Sequence, residues 1–380
     1  HANDGTLDTT QAVAITVTDV NLAPVFTSGA SASFAENTPA STVAYDANAT
    51  DDGENSGTLT YSLTAGGDND KFNINSANGE VTFKVSPDFE TPTDVGANNV
   101  YDITVHANDG TLDTTQAVAI TVTPVNDAPA ANNDTWIISN DTTASLPLTA
   151  LLGNDTDPDG DTLTVTALSA DGITFVTDNG PGDLNSNSGF IAIPVATGLT
   201  NVTVSADVTS GTVTYGDGTN SPTPATDTFY YRVSDGNGGL DDGQVNITIV
   251  TTNSSGLGAN DSFDFSAIPY SPYEYSYIDG KSGGDTFAGG NGIDTFLGNN
   301  GDDILIGGGG NDILNGNENN DTISGGLGDD KLDGGNNVDT LKGDAGIDTL
   351  TGGNGNDIFV LDGNTTANYD VITDFVSADD

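Results

Sequence analysis

GKSGGDTFA GGNGIDTFL GNNGDDILI GGGGNDILN GNENNDTIS GGLGDDKLD GGNNVDTLK GDAGIDTLT GGNGNDIFV occupies residues 280–360, nine units of nine residues without a slip. The sixth position is always Asp: Asp285, Asp294, Asp303, Asp312, Asp321, Asp330, Asp339, Asp348 and Asp357. The eighth is always large and apolar, from Phe287 and Phe296 to Leu350 and Phe359. The fourth is Gly seven times and Asn twice, at Asn319 and Asn337. Asn is the non-glycine residue that best tolerates positive φ. A six-residue Gly-rich turn and a three-residue strand make half a coil, so two units close one turn of a solenoid. One inward apolar residue per unit is a thin core, too thin to hold a fold alone. A disordered Gly/Asp linker would not keep Asp and the apolar residue in phase over nine units.

Two units per coil set Asp285 beside Asp303, Asp294 beside Asp312, and so on along two rows. Neighbours in a row lie about one strand spacing apart, roughly 4.8 Å. At an effective dielectric near 20, two such charges repel by about 3.5 kcal/mol. A divalent cation between them reverses the sign, and carboxylate with carbonyl oxygens suits Ca²⁺. The nonapeptide resembles the calcium-binding repeat of RTX (repeats-in-toxin) proteins, which implies a parallel β-roll. Nine units then give about seven internal ion sites, 9 − 2, in rows of four and three. Turns that are intact but weaker are expected at Glu318-Asn319-Asn320 and Asn336-Asn337.

The 380 residues suggest two to four domains. Acidic residues number 56 against six Lys plus Arg, a formal charge of −50. This excludes nucleic acid, whose phosphates need basic residues, and disfavours anionic membrane surfaces. Self-repulsion on this scale opposes a compact state unless counter-ions bind. A halophilic surface is the plainer source of the same excess. There is no Cys, hence no disulfide. No apolar run is long enough to span a membrane and no signal peptide is visible. Short alternating runs rich in Thr and Val give an all-β composition. The chain begins at His1 and is expected to be an internal piece of a longer protein.

HANDGTLDTTQAVAITVT at residues 1–18 recurs identically at 106–123, a period of 105 residues. That is the size of one β-sandwich, and tandem copies read as a stalk. Residues 1–22 are read as the closing strands of a preceding copy and 23–127 as a whole one. This unit resembles a cadherin-type domain through Ala35-Glu36-Asn37, Asp88-Phe89-Glu90, Ala107-Asn108-Asp109-Gly110 and the closing Val125-Asn126-Asp127. The resemblance implies Ca²⁺ at domain junctions. Glu36, Asp88 and Glu90 would serve one end, and Asp51, Asp52 and Asp109 the other, with Asp19 and Asn21 from the entering linker. Leu22 stands where an acid is expected and the acidic pair is shortened to Asp51-Asp52, so one or two ions per junction are expected.

Residues 128–250 resemble the VCBS and immunoglobulin-like modules of large bacterial adhesins. The likeness rests on Asn132-Asn133-Asp134, LLGNDTDPDGDTLTVT at 151–166 and DTFYYRVSDGNGGLDDGQVNITIV at 227–250. Asp155, Asp157, Asp159 and Asp161 alternate around a tight turn and suit one hard cation. The loop is not an EF-hand, because Thr166 stands at the twelfth position and no flanking helices are predicted. Trp136, the only Trp, is read as a packing residue.

Residues 251–279 are read as a linker and an aromatic N-terminal cap for the solenoid, and 361–380 as the start of a C-terminal cap. No HExxH helix, GxSxG elbow, nucleophilic Cys or phosphate loop is present, so no enzyme is expected. An ice-binding Thr/Asn ladder is broken at Ile304, Ile313, Lys331 and Ile358. The fold expected is all-β: tandem cadherin-like and Ig-like sandwiches followed by a parallel β-roll. The function expected is that of a secreted, calcium-dependent RTX-type adhesin segment at the bacterial surface. Its partners would be Ca²⁺ and cell-surface glycans or further copies, without membrane insertion. A surface-layer or filament subunit assembling through calcium is the alternative.

Overall fold

The computed structural model describes residues 2–3, 5–6, 8–18, 20–52, 57–140, 142–177, 190–194, 203–207, 210–216, 225–250, 260–266, 275–361 and 369–375. Two compact units divide at Asn126/Asp127. Among the described residues the regular elements are strands, apart from one α-helical turn, Thr149–Leu152, and one 3₁₀ turn, Gly67–Lys71.

In the first unit, four strands pair in the order Ser31–Ala35, Asp113–Thr123, Val100–Asn108, Thr60–Leu63. Ser31–Ala35 runs parallel to its neighbour and the other pairings are antiparallel. Val43–Asp46, Glu80–Phe83 and Phe72–Ile74 form a facing sheet. Alternate residues of each strand point inward. They build a core of Phe34, Tyr45, Phe72, Phe83, Tyr101, Ile103, Val118, Ile120 and Val122.

The repeated 18-mer meets two fates. In its second copy Val118, Ile120 and Val122 are 1%, 0% and 1% exposed. In its first copy the equivalent Val13, Ile15 and Val17 are 75%, 84% and 89% exposed. Only Ala2–Asn3 and Asp8–Thr9 pair there, and 10–18 form no strand. Identical residues thus become strand only where a partner strand and a facing sheet receive their apolar side.

The second unit opens with the Ig-like strands. One sheet runs Val176–Thr177, Thr164–Ser169, Ala225–Ser234, Leu240–Val250, Asp134–Ser139. The facing sheet is Thr143–Pro147, Thr212–Gly216, Thr203–Asp207, Phe190–Pro194. Trp136 lies in the core between them, edge-on to Phe229 at 5.3 Å. The first sheet does not end at Asp134–Ser139. That strand also pairs in parallel with Tyr275–Asp279, which pairs with Ile293–Asn300, the first of four repeat strands in this row. Eleven strands make one sheet from the Ig-like fold into the solenoid. Trp136 and Ile138 face the Ig-like core, while Ile137 closes the end of the roll's own core.

The roll has two parallel sheets with a register of 18 residues, as in Phe296↔Leu314↔Leu332↔Leu350. Its core is the single file expected: Phe287, Phe296, Leu305, Leu314, Ile323, Leu332, Leu341 and Leu350. Six of the nine repeat strands are six residues long rather than three, for example Ile304–Gly309. They run on into the next unit's second and third positions, skipping the first: Ile306↔Ser324 is followed by Gly308↔Gly326. Asn319 and Asn337 adopt φ of 83° and 85°, so both turns keep the left-handed backbone of the Gly-bearing units.

The cap expected at 251–279 is described in part. Phe263 pairs with Phe287, and Tyr275–Asp279 is held between the Ig-like strand and the roll. The linker 251–258 lies outside the described residues, as do Tyr270 and Tyr273. After the repeats, Val371–Ile372 pairs in parallel with Thr349 and Leu350 and takes the place of another unit.

Candidate metal centres

The nine repeat aspartates are brought together in two rows, and they are buried rather than set on an outer edge. Each turn folds its carboxylate inward over the preceding coil. Asp285 N–H donates to Asp303 Oδ1 at 2.7 Å, and Asp303, Asp321 and Asp339 continue the row to Asp357 at 2.8–2.9 Å. Asp294, Asp312 and Asp330 do the same toward Asp348, each at 2.8 Å. These are seven inter-coil contacts, four and three, on the pairs read from the sequence.

One oxygen of each carboxylate is thereby used. The other, Oδ2, has no hydrogen-bond partner among the described residues on Asp285, Asp303, Asp312, Asp321, Asp330, Asp339 and Asp348. It points at the first-position glycine of its own unit. A Cβ on Gly307 would lie 2.1 Å from Asp312 Oδ2 and 2.5 Å from the Gly325 carbonyl oxygen. A Cβ on Gly298 would meet Asp303 Oδ2 at 2.2 Å and the Gly316 carbonyl at 3.0 Å. Carboxylate and carbonyl oxygens thus converge on space that only glycine leaves open, a donor set that fits Ca²⁺. A bound cation would supply the positive charge these oxygens lack.

Without such a charge the carboxyls are pushed upward: Asp312 to about 9, Asp294, Asp321 and Asp330 to about 7, Asp285 to about 6. Desolvation is the first cause in each, and repulsion between neighbours ranks below it. Desolvation adds to the repulsion expected from the sequence, because the turns take the carboxylates out of water. The groups titrate from 3.8 unfolded, so the calcium-free fold holds protons that the unfolded chain releases. Its stability is greatest at low pH and falls as pH rises from 3.8 through about 6 to 9. In chelator, far-UV circular dichroism is expected to show more β structure at pH 5 than at pH 8. With calcium the order reverses, since protons compete for the same oxygens. No pH effect in chelator would sink this assignment of buried carboxyls.

Both rows extend beyond the nine units. Asp261 N–H donates to Asp285 Oδ1 at 2.7 Å, and Asp348 N–H to Asp370 Oδ1 at 3.3 Å. Spacings of 24 and 22 residues hide these positions from a nine-residue period. The tripeptides Asp261-Ser262-Phe263 and Asp370-Val371-Ile372, which copy Asp-x-apolar, would have revealed them.

In the first unit Glu36, Asp88 and Glu90 place one oxygen each within 4.8 Å of one another. Glu36 is buried, and its carboxylate accepts from Phe89 N–H at 2.6 Å and Val125 N–H at 2.7 Å. At the other predicted site Asn21 Nδ2 donates to Asp109 Oδ2 at 2.9 Å, and Leu22 N–H to Asp52 Oδ2 at 3.1 Å. Hydrogen bonds from the Leu112 and Thr111 amides hold Asp109 down at about 2. Asn21 Oδ1 and Asp51 Oδ2 are buried there without a hydrogen-bond partner among the described residues. Asp19 lies outside the described residues.

In the Ig-like loop Asp157, Asp159 and Asp161 come together, again within 4.8 Å. Asp155 is not part of that group: it turns inward, accepting from Asn132 N–H at 2.7 Å and Tyr231 Oη at 3.2 Å.

The chain matches the family models for a cadherin domain at residues 30–123, a bacterial Ig domain at 126–248, and the RTX calcium-binding nonapeptide repeat at 279–314, 306–341 and 333–364. No curated protein matches it. Among solved structures it is similar to human protocadherin-24 EC1-2, at 18% identity and TM-score 0.36, over 61% of this chain and 100% of that one. It is also similar to Drosophila N-cadherin EC1-4, at 20% identity and TM-score 0.36, over 61% of this chain and 50% of that one. Among the described residues no helix is long and apolar enough to cross a membrane. Fold and sites define an all-β, calcium-binding segment of adhesion type. Along the chain a cadherin-like domain and a bacterial Ig-like domain precede calcium-binding RTX repeats that form a β-roll.

Proposed function

We propose that this segment is part of a secreted bacterial adhesin that leaves the cell unfolded and folds outside it, where calcium is abundant. Its role is structural and adhesive rather than catalytic. The ladder of buried aspartates, seven of them with one oxygen unpartnered among the described residues, carries the reading. Where calcium is scarce those oxygens are buried at a cost and the roll stays open; where it is plentiful, binding free energy becomes folding free energy. The seven inter-coil pairs are proposed as ion sites, with further sites at the Glu36 and Asp109 ends of the cadherin-like domain. Cell-surface glycans or further copies of the chain are the partners this reading implies.

The second reading is a surface-layer or filament subunit, favoured by the excess of acid over base, which lets calcium bridge copies. Electron microscopy and sedimentation velocity of the chain with and without calcium separate the two. Single particles at both conditions are expected for the adhesin. Lattices or fibres appearing with calcium would replace it by the assembly reading.

A further inference from the structure

The Ig-like domain holds a second cluster of oxygens beside the Asp157, Asp159 and Asp161 group. Asp134 opens the strand Asp134–Ser139 and is 2% exposed. Neither of its carboxylate oxygens has a hydrogen-bond partner among the described residues. A carboxylate so placed costs several kcal/mol unless it is neutralised or paired. Asn154 Oδ1 is buried beside it and is also without a partner. Asp155 completes the cluster.

The frame around these atoms is built and closed. Asn132 N–H donates to Asp155 Oδ1 at 2.7 Å, and Asn132 Nδ2 to the Asn154 carbonyl at 2.7 Å. Asn154 Nδ2 returns a bond to the Asn133 carbonyl at 3.1 Å. Tyr231 Oη lies 2.9 Å from the Asn132 carbonyl. The two segments are thus tied through their backbones and amide nitrogens, which leaves the oxygens of Asp134 and Asn154 facing inward. The Tyr231 and Asn154 side chains lie against Asp134 and hold its carboxyl down in part, against the larger upward push of burial. No Lys or Arg shares a hydrogen bond with either acid among the described residues.

We propose that Asp134, Asn154 and Asp155 hold one hard divalent cation, Ca²⁺, inside the Ig-like domain, apart from the Asp157, Asp159, Asp161 loop. The donors are all oxygen and carry two negative charges, the combination that selects Ca²⁺ over softer metals. An ion there would tie the domain's first strand to the loop after the helical turn Thr149–Leu152. Burial raises Asp134 to about 8 and Asp155 to about 6 in the ion-free state, in keeping with a site that lacks its counter-charge. The site does not depend on the roll binding calcium.

Trp136 stands two residues from Asp134 on the same strand and is the only Trp in the chain. Tb³⁺ added to the full chain is therefore expected to give Trp-sensitised emission that Ca²⁺ displaces. Asp134→Asn should weaken that signal's apparent affinity roughly tenfold or more. Asp159→Asn should leave it, and both variants should keep the roll's calcium-induced circular dichroism. Emission unchanged by Asp134→Asn, or abolished equally by Asp159→Asn, would overturn the site. Thermal unfolding followed by Trp136 fluorescence gives a second readout. In chelator Asp134→Asn should melt no lower than wild type, since it removes a buried unpaired carboxyl, and only calcium should set wild type above it. An equal drop in chelator and in calcium would make Asp134 a structural residue and end the proposal.

Discussion

Excess chelator is expected to erase the parallel β structure of the roll in the full chain while both sandwich cores stay folded. The roll's core is one side chain per unit, and seven of its carboxylates bury an unpartnered oxygen. An ion at a hundredfold excess over its Kd contributes about 2.7 kcal/mol. Seven such sites together exceed the ~5–15 kcal/mol that holds an ordinary domain. The sandwiches have two-layer cores with Phe72, Phe83 and Tyr101 in one and Trp136, Phe229 and Tyr231 in the other. Far-UV circular dichroism should lose the roll's contribution and near-UV aromatic signals should persist. A roll that keeps its full β signal in chelator would remove the calcium-driven folding proposed for it.

Gly307→Ala is expected to damage the roll at one carboxylate cradle. Its Cβ falls 2.1 Å from Asp312 Oδ2 and 2.5 Å from the Gly325 carbonyl. The carbonyl is backbone, and Asp312 is buried and held by the Asp294 N–H, so neither yields easily and the methyl takes the space proposed for the ion. The loss should be about 3 kcal/mol or more in calcium, with one ion fewer by equilibrium dialysis. Gly309→Ala, two residues on, is the control. Its Cβ first meets Asn291 Oδ1 at 3.4 Å. That change should stay within about 0.5 kcal/mol and keep the ion count. Equal behaviour of the two variants would refute the cradle.

The roll was legible because its chemistry is periodic: Asp and an apolar residue in phase give both register and rows. What escaped the period escaped the reading. Asp261 and Asp370 extend the rows at spacings of 24 and 22 residues. Strand extension through the first three positions was missed because glycine has no side-chain pattern to read. Asp155 alternates with Asp157 and Asp159 in sequence, yet Tyr231, 76 residues away, draws it inward.

The run Trp136-Ile137-Ile138 carried a signal that composition alone did not resolve: consecutive apolar residues mark a strand covered on both faces. Its two neighbours, Leu240–Val250 and Tyr275–Asp279, both run parallel to it. The Ig-like strand thus presents a ready parallel edge to the first strand of the roll, so the solenoid starts on a template that is already folded instead of on an open end.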